Sequence, residues 1–298
     1  MTLAPRGASL SARLLRRNLR RIRQSLRFGA LAASPVIFAN SFPKSGTHLL
    51  TQVLHGFTRL GPAVDSGMPA VVTFDGFTGR QRAAQEIMAD LERLLPGDIA
   101  YGHVHAFPAA IEFMRREGVA AYFILRDPRD VVVSHVHYVA EMAPSHIHHR
   151  YYHEILPDFE QRLTASIAGV PAAELEKAAG QPVPEPLPDI LSRFEPYMDW
   201  LEHAEVLALR YEDFVSDRMS ALVLVLEHGL RHGFKPACST AEALQILEAG
   251  IDPSRSPTFR SGKIGGWQTA MNEAHKTFFR EVSGDLLIRL GYEANQDW

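Results

Sequence analysis

The sequence predicts an α/β fold, a central and mostly parallel sheet flanked by helices, and three observations predict it. Short apolar runs of strand-forming residues recur: Val36-Ile-Phe-Ala39, Ile99-Ala-Tyr101, Ala121-Tyr-Phe-Ile-Leu125 and Val206-Leu-Ala-Leu209. After each run come a turn and a helical stretch, the alternation that covers a parallel sheet. With 298 residues, 46% hydrophobic and 22% charged, the chain is long and apolar enough to bury a large core.

Taken in order, residues 1–33 read as a basic amphipathic helix and residues 34–298 as one domain. Val36–Ala39 is the first strand, and Thr47–Leu54 follows as a helix. Ile99–Tyr101 is a second buried strand before an amphipathic helix from about Pro108 to Glu117. Ala121–Leu125 is a wholly apolar strand that ends abruptly at Arg126, after which Asp130 is placed to cap the next helix. Periodicity weakens over about 143–189, where Pro182, Pro184, Pro186 and Pro188 enforce an extended chain. That stretch reads as an insertion over the sheet, with one short helix near Phe159–Ile167. Trp200 is expected in the core, on a helix facing the sheet.

Charge is distributed unevenly. Residues 1–60 hold ten Lys/Arg and no acid, although the whole chain has a net charge of −3. Leu10, Leu14, Leu19, Ile22 and Leu26 recur at helical spacing among Arg13, Arg16, Arg17, Arg20, Arg21 and Arg23. Such a helix packs its leucine seam on its own domain or a sister subunit, lies on an anionic membrane, or acts as a targeting segment. Peripheral membrane contact and self-association both stay open. No apolar run reaches the roughly 18–20 residues that span a membrane. The stretch Phe28–Phe38 is broken by Pro35, which argues against a secretory signal. Cys238 is the single cysteine, so no internal disulfide can form, which fits a cytoplasmic protein or one peripheral to a membrane.

The segment Ser41-Phe-Pro-Lys-Ser-Gly-Thr-His48 joins the first strand to a helix N-terminus. Backbone N–H groups and the helix dipole point there, Lys44 adds a charge, and Ser45 and Thr47 add hydroxyls. This is chemistry for a phosphate or sulfate. It departs from the nucleoside-triphosphate loop Gly-x4-Gly-Lys-Ser/Thr, because Pro43 precedes the lysine and no glycine lies upstream. A second cluster is Leu125-Arg-Asp-Pro-Arg-Asp-Val-Val-Val-Ser134, where Arg126 leaves the end of a strand, the edge at which open α/β sheets place ligands. By itself Arg126 could equally pair with Asp127 or Asp130.

Pro43-Lys-Ser-Gly-Thr47 together with Arg126-Asp-Pro-Arg-Asp-x3-Ser134 resembles the sulfotransferase family. Arg210-Tyr-Glu-Asp-Phe214 and Phe259-Arg-Ser-Gly-Lys-Ile-Gly-Gly-Trp267 are similar to two further motifs of that family, in the same order. The resemblance implies a topology like that of the P-loop nucleotide hydrolases. It implies 3′-phosphoadenosine-5′-phosphosulfate (PAPS) as sulfate donor and adenosine 3′,5′-bisphosphate (PAP) as product, with no metal. Lys44, Ser45, Gly46, Thr47 and His48 would hold the 5′-phosphosulfate. Arg126, Ser134, Arg260, Ser261 and Gly262 would hold the 3′-phosphate, and Tyr211 would lie near the adenine. Departures from the family pattern are Leu49 in place of an aromatic residue, Arg260-Ser261-Gly262 for Arg-Lys-Gly, and Gly265-Gly266-Trp267 for Gly-Asp-Trp. The dimer motif of the cytosolic branch is missing.

Transfer needs a base for the acceptor, and neutral histidine suits that role near pH 7. The resemblance puts the catalytic histidine in Tyr101-Gly-His-Val-His105, where His103 is preferred to His105, with Lys44 at the departing phosphate. The histidine-rich run His135, His137, His146, His148, His149 and His153 lacks the partners of a metal site and is expected to flank the acceptor entrance. The acceptor is a hydroxylated small molecule or glycan, with carbohydrate or lipid-linked glycan favoured, and no nucleic acid. Competing functions are a P-loop kinase or nucleotide hydrolase, and a non-catalytic nucleotide-binding module at a membrane surface.

Overall fold

The computed structural model describes residues 9–76, 78–256 and 262–298. It divides into two compact units: residues up to Val72 with Ala84–Leu125 and Asp199–Gly262, and Thr73–Ala83 with Arg126–Met198 and Lys263–Trp298.

The first unit carries the sheet. Its strands are β1 (Val36–Ser41), β2 (Val64–Asp65), β3 (Val71–Val72), β4 (Asp98–His103), β5 (Val119–Leu125) and β6 (Val206–Arg210). Every pairing is parallel, in the order β2-β4-β1-β5-β6, with β3 also on β4. The four apolar runs are thus β1, β4, β5 and β6. The two-residue strands β2 and β3 are too short to show a period. All six residues of β1 are buried, as expected of a central parallel strand covered on both faces. The chain extends the sheet through β2–β4 on one side of β1 and through β5 and β6 on the other. The carboxyl edge beside β1 is therefore a topological switch point, where such sheets bind ligands.

The helix Thr47–His55 buries Leu50, Val53 and Leu54 completely, a face with spacing three and one. Each such side chain contributes about 1.5–3 kcal/mol of burial, which clamps the helix and the loop that enters it. Trp200 is in the core as expected, on a 3-10 turn (Asp199–Glu202).

The N-terminal helix spans Leu10–Phe28 and corrects the expectation that its leucine seam packs inward. It docks on the first unit by its arginines. Arg17 is only 6% exposed; its Nη1 donates to Asp98 Oδ2 at 3.2 Å and to the Arg93 carbonyl at 2.7 Å. Arg21 Nη1 donates to Asp98 Oδ1 at 2.8 Å and to the Pro96 carbonyl, and Arg13 and Arg20 donate to the carbonyls of Gly67 and Ser66. Asp98 is fully buried and also accepts the Leu95 N–H. A buried carboxylate left alone would cost several kcal/mol, so it selects the arginine face.

The second unit is helical. It holds helices Pro128–His137, Phe159–Ala168, Ala172–Ala179, Ile190–Met198 and Glu273–Ser283, with wide π-type turns at Tyr138–Met142 and Tyr151–Ile155. The helix near Phe159–Ile167 is present. Ala172–Ala179 is a second helix, hidden in the sequence because the prolines that follow dominate the pattern. The proline-rich chain is extended and pairs at Val170 and Leu187 by two backbone hydrogen bonds. Asp127, not Asp130, caps Pro128–His137: its Oδ1 accepts the Arg129 N–H at 2.9 Å, and Pro128 takes the first helical position. Arg129 bonds Asp127 and Glu293 and lies between the rings of Trp267 and Trp298, at 3.9 and 4.5 Å from their centroids.

Candidate active site

The loop after β1 turns in one step. Ser45 N–H donates to the Phe42 carbonyl, with Pro43 and Lys44 between them. Pro43 suits the first central position of such a turn, and the second requires a positive φ, normally supplied by glycine. Here that residue is Lys44, at φ 70°, alone among the described non-glycine residues in the left-handed region. The strained backbone aims a cationic side chain from the turn, the kind of outlier that gathers at functional sites.

Gly46 follows at φ 97° and caps the helix Thr47–His55. A Cβ there would stand 2.7 Å from Cδ2 of Tyr211 and 3.3 Å from Cδ1 of Ile124, so only glycine fits. Tyr211 begins the helix after β6 and is packed by its ring edge over this glycine, against the loop. Ser45 is fully buried, and its Oγ has no hydrogen-bond partner. The buried, unpartnered Ser45 hydroxyl, the N–H groups of the first helical turn and the Lys44 cation form a donor set that fits a tetrahedral anion. His48, in the first turn, is held below the usual imidazole value by burial, then by Lys44 and His103.

β4 delivers the histidines to the same edge, with Asn40 opposite Gly102 in register. Nδ1 of His103 lies 2.9 Å from the Ser41 carbonyl oxygen and 3.1 Å from Ser41 Oγ. A carbonyl only accepts, so Nδ1 carries the proton and Nε2 carries the lone pair. Ser41 Oγ donates to the Gly102 carbonyl and meets Thr47 Oγ1 at 2.8 Å, tying the histidine to the anion loop. Burial lowers the pKa of His103; the Ser41 carbonyl opposes this and Lys44 adds to it. The ring is therefore neutral at pH 7. Burial lowers His105 as well, to about 4.

The residue between the two histidines is pinned. Asn40 accepts the Val104 N–H and donates to its carbonyl, both at 2.9 Å, and Trp200 Nε1 donates to the same carbonyl at 2.9 Å. Ser41, Asn40 and Trp200 are thus positioning residues that motif reading passed over. The available signal was a pair of polar residues at the end of an otherwise apolar strand.

In the second unit, Arg126 Nη2 donates to Asp130 Oδ2 at 3.1 Å and to the Lys263 carbonyl at 2.9 Å. Asp130, 2% exposed, also accepts the N–H groups of Gly265 and Trp267. It holds the strand-end arginine and the Lys263–Trp267 turn together instead of capping a helix. Ser134 is half-buried on Pro128–His137, and Gly262 has φ 64°. Arg260 and Ser261 lie outside the described residues.

The histidine-rich run is used largely for internal bonding. Nδ1 of His149 meets the Val139 carbonyl and Nδ1 of His153 the Ala140 carbonyl, their rings stacked at 5.0 Å. His135 pairs with Ser166 Oγ, and His146 accepts the His148 N–H. The bonds of His149 and His153 tie the second π-type turn and the residues before it to the first.

No family model and no curated protein matches the sequence. Solved structures do. Retinol dehydratase in complex with androsterone and the inactive cofactor PAP is 16% identical, with a TM-score of 0.54 over 89% of this chain and 85% of that one. Mouse sulfotransferase SULT7A1 complexed with PAP is 17% identical, with a TM-score of 0.54 over 91% of both chains. Retinol dehydratase with retinol and PAP is 16% identical, with a TM-score of 0.53 over 89% and 86%. At these identities the likeness is one of fold. The parallel sheet flanked by helices is the fold of these PAP-bound proteins, a sulfotransferase among them.

Proposed function

We propose that this protein is a sulfotransferase that moves the sulfuryl group of PAPS to a hydroxyl or amine. The observation that carries the reading is the bond between His103 Nδ1 and the Ser41 carbonyl. With Nδ1 donating to that carbonyl, Nε2 is the nitrogen left to accept a proton, on the strand next to the anion loop. The donor supplies the sulfuryl group and a leaving phosphate.

Each residue then has a task. His103 Nε2 takes the acceptor proton, a contribution of roughly 10²–10⁴ in rate. Lys44 and the N–H groups of the Thr47–His55 helix face the anionic end of the donor and stabilise charge there without reorganising. Ser45 Oγ, buried and unpartnered, gains its hydrogen bond from that ligand. Arg126, Ser134, Arg260, Ser261 and Gly262 are assigned to the 3′-phosphate by resemblance, and Tyr211 to the purine. They supply binding energy and orientation, not chemistry. His105 is the alternative base, with burial holding its pKa near 4.

For the acceptor we favour a carbohydrate or lipid-linked glycan hydroxyl. The complexes of the fold relatives with androsterone and retinol make a small hydroxylated lipid the other class to test. One ligand screen decides the reaction class. Thermal stabilisation by PAP and not by magnesium ATP supports the reading, and the reverse preference points to a kinase or nucleotide hydrolase. Transfer of labelled sulfate from PAPS across sugar, lipid-linked sugar, sterol and retinoid acceptors then identifies the substrate. Binding of PAP with no transfer to any acceptor leaves a nucleotide-binding module.

A further inference from the structure

The N-terminal helix is docked by its charged side, which leaves its apolar side outward. At 100° per residue, Leu15, Leu19, Ile22 and Leu26 fall within about 60° of one another. They are 62, 59, 60 and 84% exposed. Arg13, Arg17, Arg20, Arg21 and Gln24 lie opposite, and all five hold groups of the first unit. Arg16, Arg23 and Arg27 run along one edge of the apolar stripe and are exposed, with Arg27 resting over the Phe28 ring. Asn18 and Ser25 line the other edge.

We infer that this face is a docking surface for an anionic lipid bilayer. The helix lies in the plane of the interface, with the four aliphatic side chains in the acyl boundary and the three arginines among the headgroups. Charge complementarity selects this occupant. On the inner side Arg17 and Arg21 pair with Asp98, Arg20 pairs with Asp65 and Arg13 donates to the Gly67 carbonyl, whereas the three at the edge of the stripe are exposed. No Asp or Glu occurs before Asp65, so a second copy of the helix brings only like charge to that edge. An anionic surface supplies the opposite sign, and long arginine stems reach headgroups while their helix sits lower. Among the described residues nothing buries this stripe of aliphatic side chains, which the docked helix turns to water.

Flotation of the full chain with vesicles tests this independently of any enzymatic activity. The chain binds vesicles of mixed phosphatidylserine and phosphatidylcholine, weakens with added salt, and binds phosphatidylcholine alone far less. Replacing Arg16, Arg23 and Arg27 together by Gln weakens binding to the anionic vesicles by about a hundredfold. Replacing Leu15, Leu19, Ile22 and Leu26 by Ser weakens it at least as much, with an unchanged melting temperature because the side chains are already exposed. Three results overturn the inference: no vesicle binding by the native chain, binding unaffected by the leucine changes, or equal binding to neutral vesicles. A dimer in sedimentation equilibrium that the leucine changes dissociate also overturns it and gives the face to a second copy.

Discussion

His103 Nδ1 stands 2.9 Å from the main-chain oxygen of Ser41, a bond that one residue's identity cannot remove because the acceptor is backbone. It sets the tautomer, so the proposed base function rests on the imidazole itself. His103→Ala lowers turnover by about 10²–10⁴ while PAP still raises the melting temperature. Ser41→Ala retains the carbonyl and loses less than about tenfold. Labelled-sulfate transfer checks both, and full activity in His103→Ala with loss in His105→Ala reverses the assignment.

Burial holds His103 below its ordinary value of 6.5. The acid limb of kcat/KM therefore lies below pH 6.5, and the rate is flat through pH 7. Stability moves the same way. His105 and His228 sit near 4 in the folded protein and His148 near 3, against 6.5 unfolded, so the unfolded chain binds more protons between those values. Their contribution is complete above pH 6.5 and is lost as pH falls toward 4. Melting temperatures recorded from pH 7.5 down to about 4.5 should decline through this range; a rise on acidification contradicts it.

Gly46→Ala meets two obstacles, φ 97° and a Cβ 2.7 Å from the Tyr211 ring. The left-handed conformation alone costs about 1–2 kcal/mol. Urea denaturation should show at least that loss, together with a smaller thermal shift on PAP. Adding Tyr211→Ala relieves the collision but not the backbone strain, so recovery in a Gly46→Ala/Tyr211→Ala chain is partial. Complete recovery shows that strain at residue 46 is unimportant.

Asp130→Ala removes one buried carboxylate from three donors: Arg126, Gly265 and Trp267. Breaking a buried pair of this kind costs about 3–5 kcal/mol. The change also frees the Lys263–Trp267 turn, so proteolysis at that turn accelerates. Asp127→Ala, by contrast, loses the helix cap and one partner of Arg129, and leaves the turn protected. Equal protection of the turn in the two variants rules out Asp130 as its anchor.

Strand, loop and helix were legible because their signals are local. An apolar run, a Pro-Lys-Ser-Gly-Thr turn and a helix with spacing three and four need no distant partner to be recognised. The loop's suitability for an anion was accordingly read from its own residues, while the histidine pair was singled out through the family resemblance. Three features were decided by tertiary structure. The face of Leu10–Phe28 that docks is chosen by Asp98, a buried carboxylate some seventy residues or more from the arginines it binds. The lone pair of His103 is directed by Ser41, a neighbour only because β1 and β4 pair. Asp130 looked like a cap because caps are local, yet besides Arg126 its partners are main-chain N–H groups 135 and 137 positions away. An amphipathic pattern states that a helix has two faces; it takes the charge waiting on the sheet to say which one is inside.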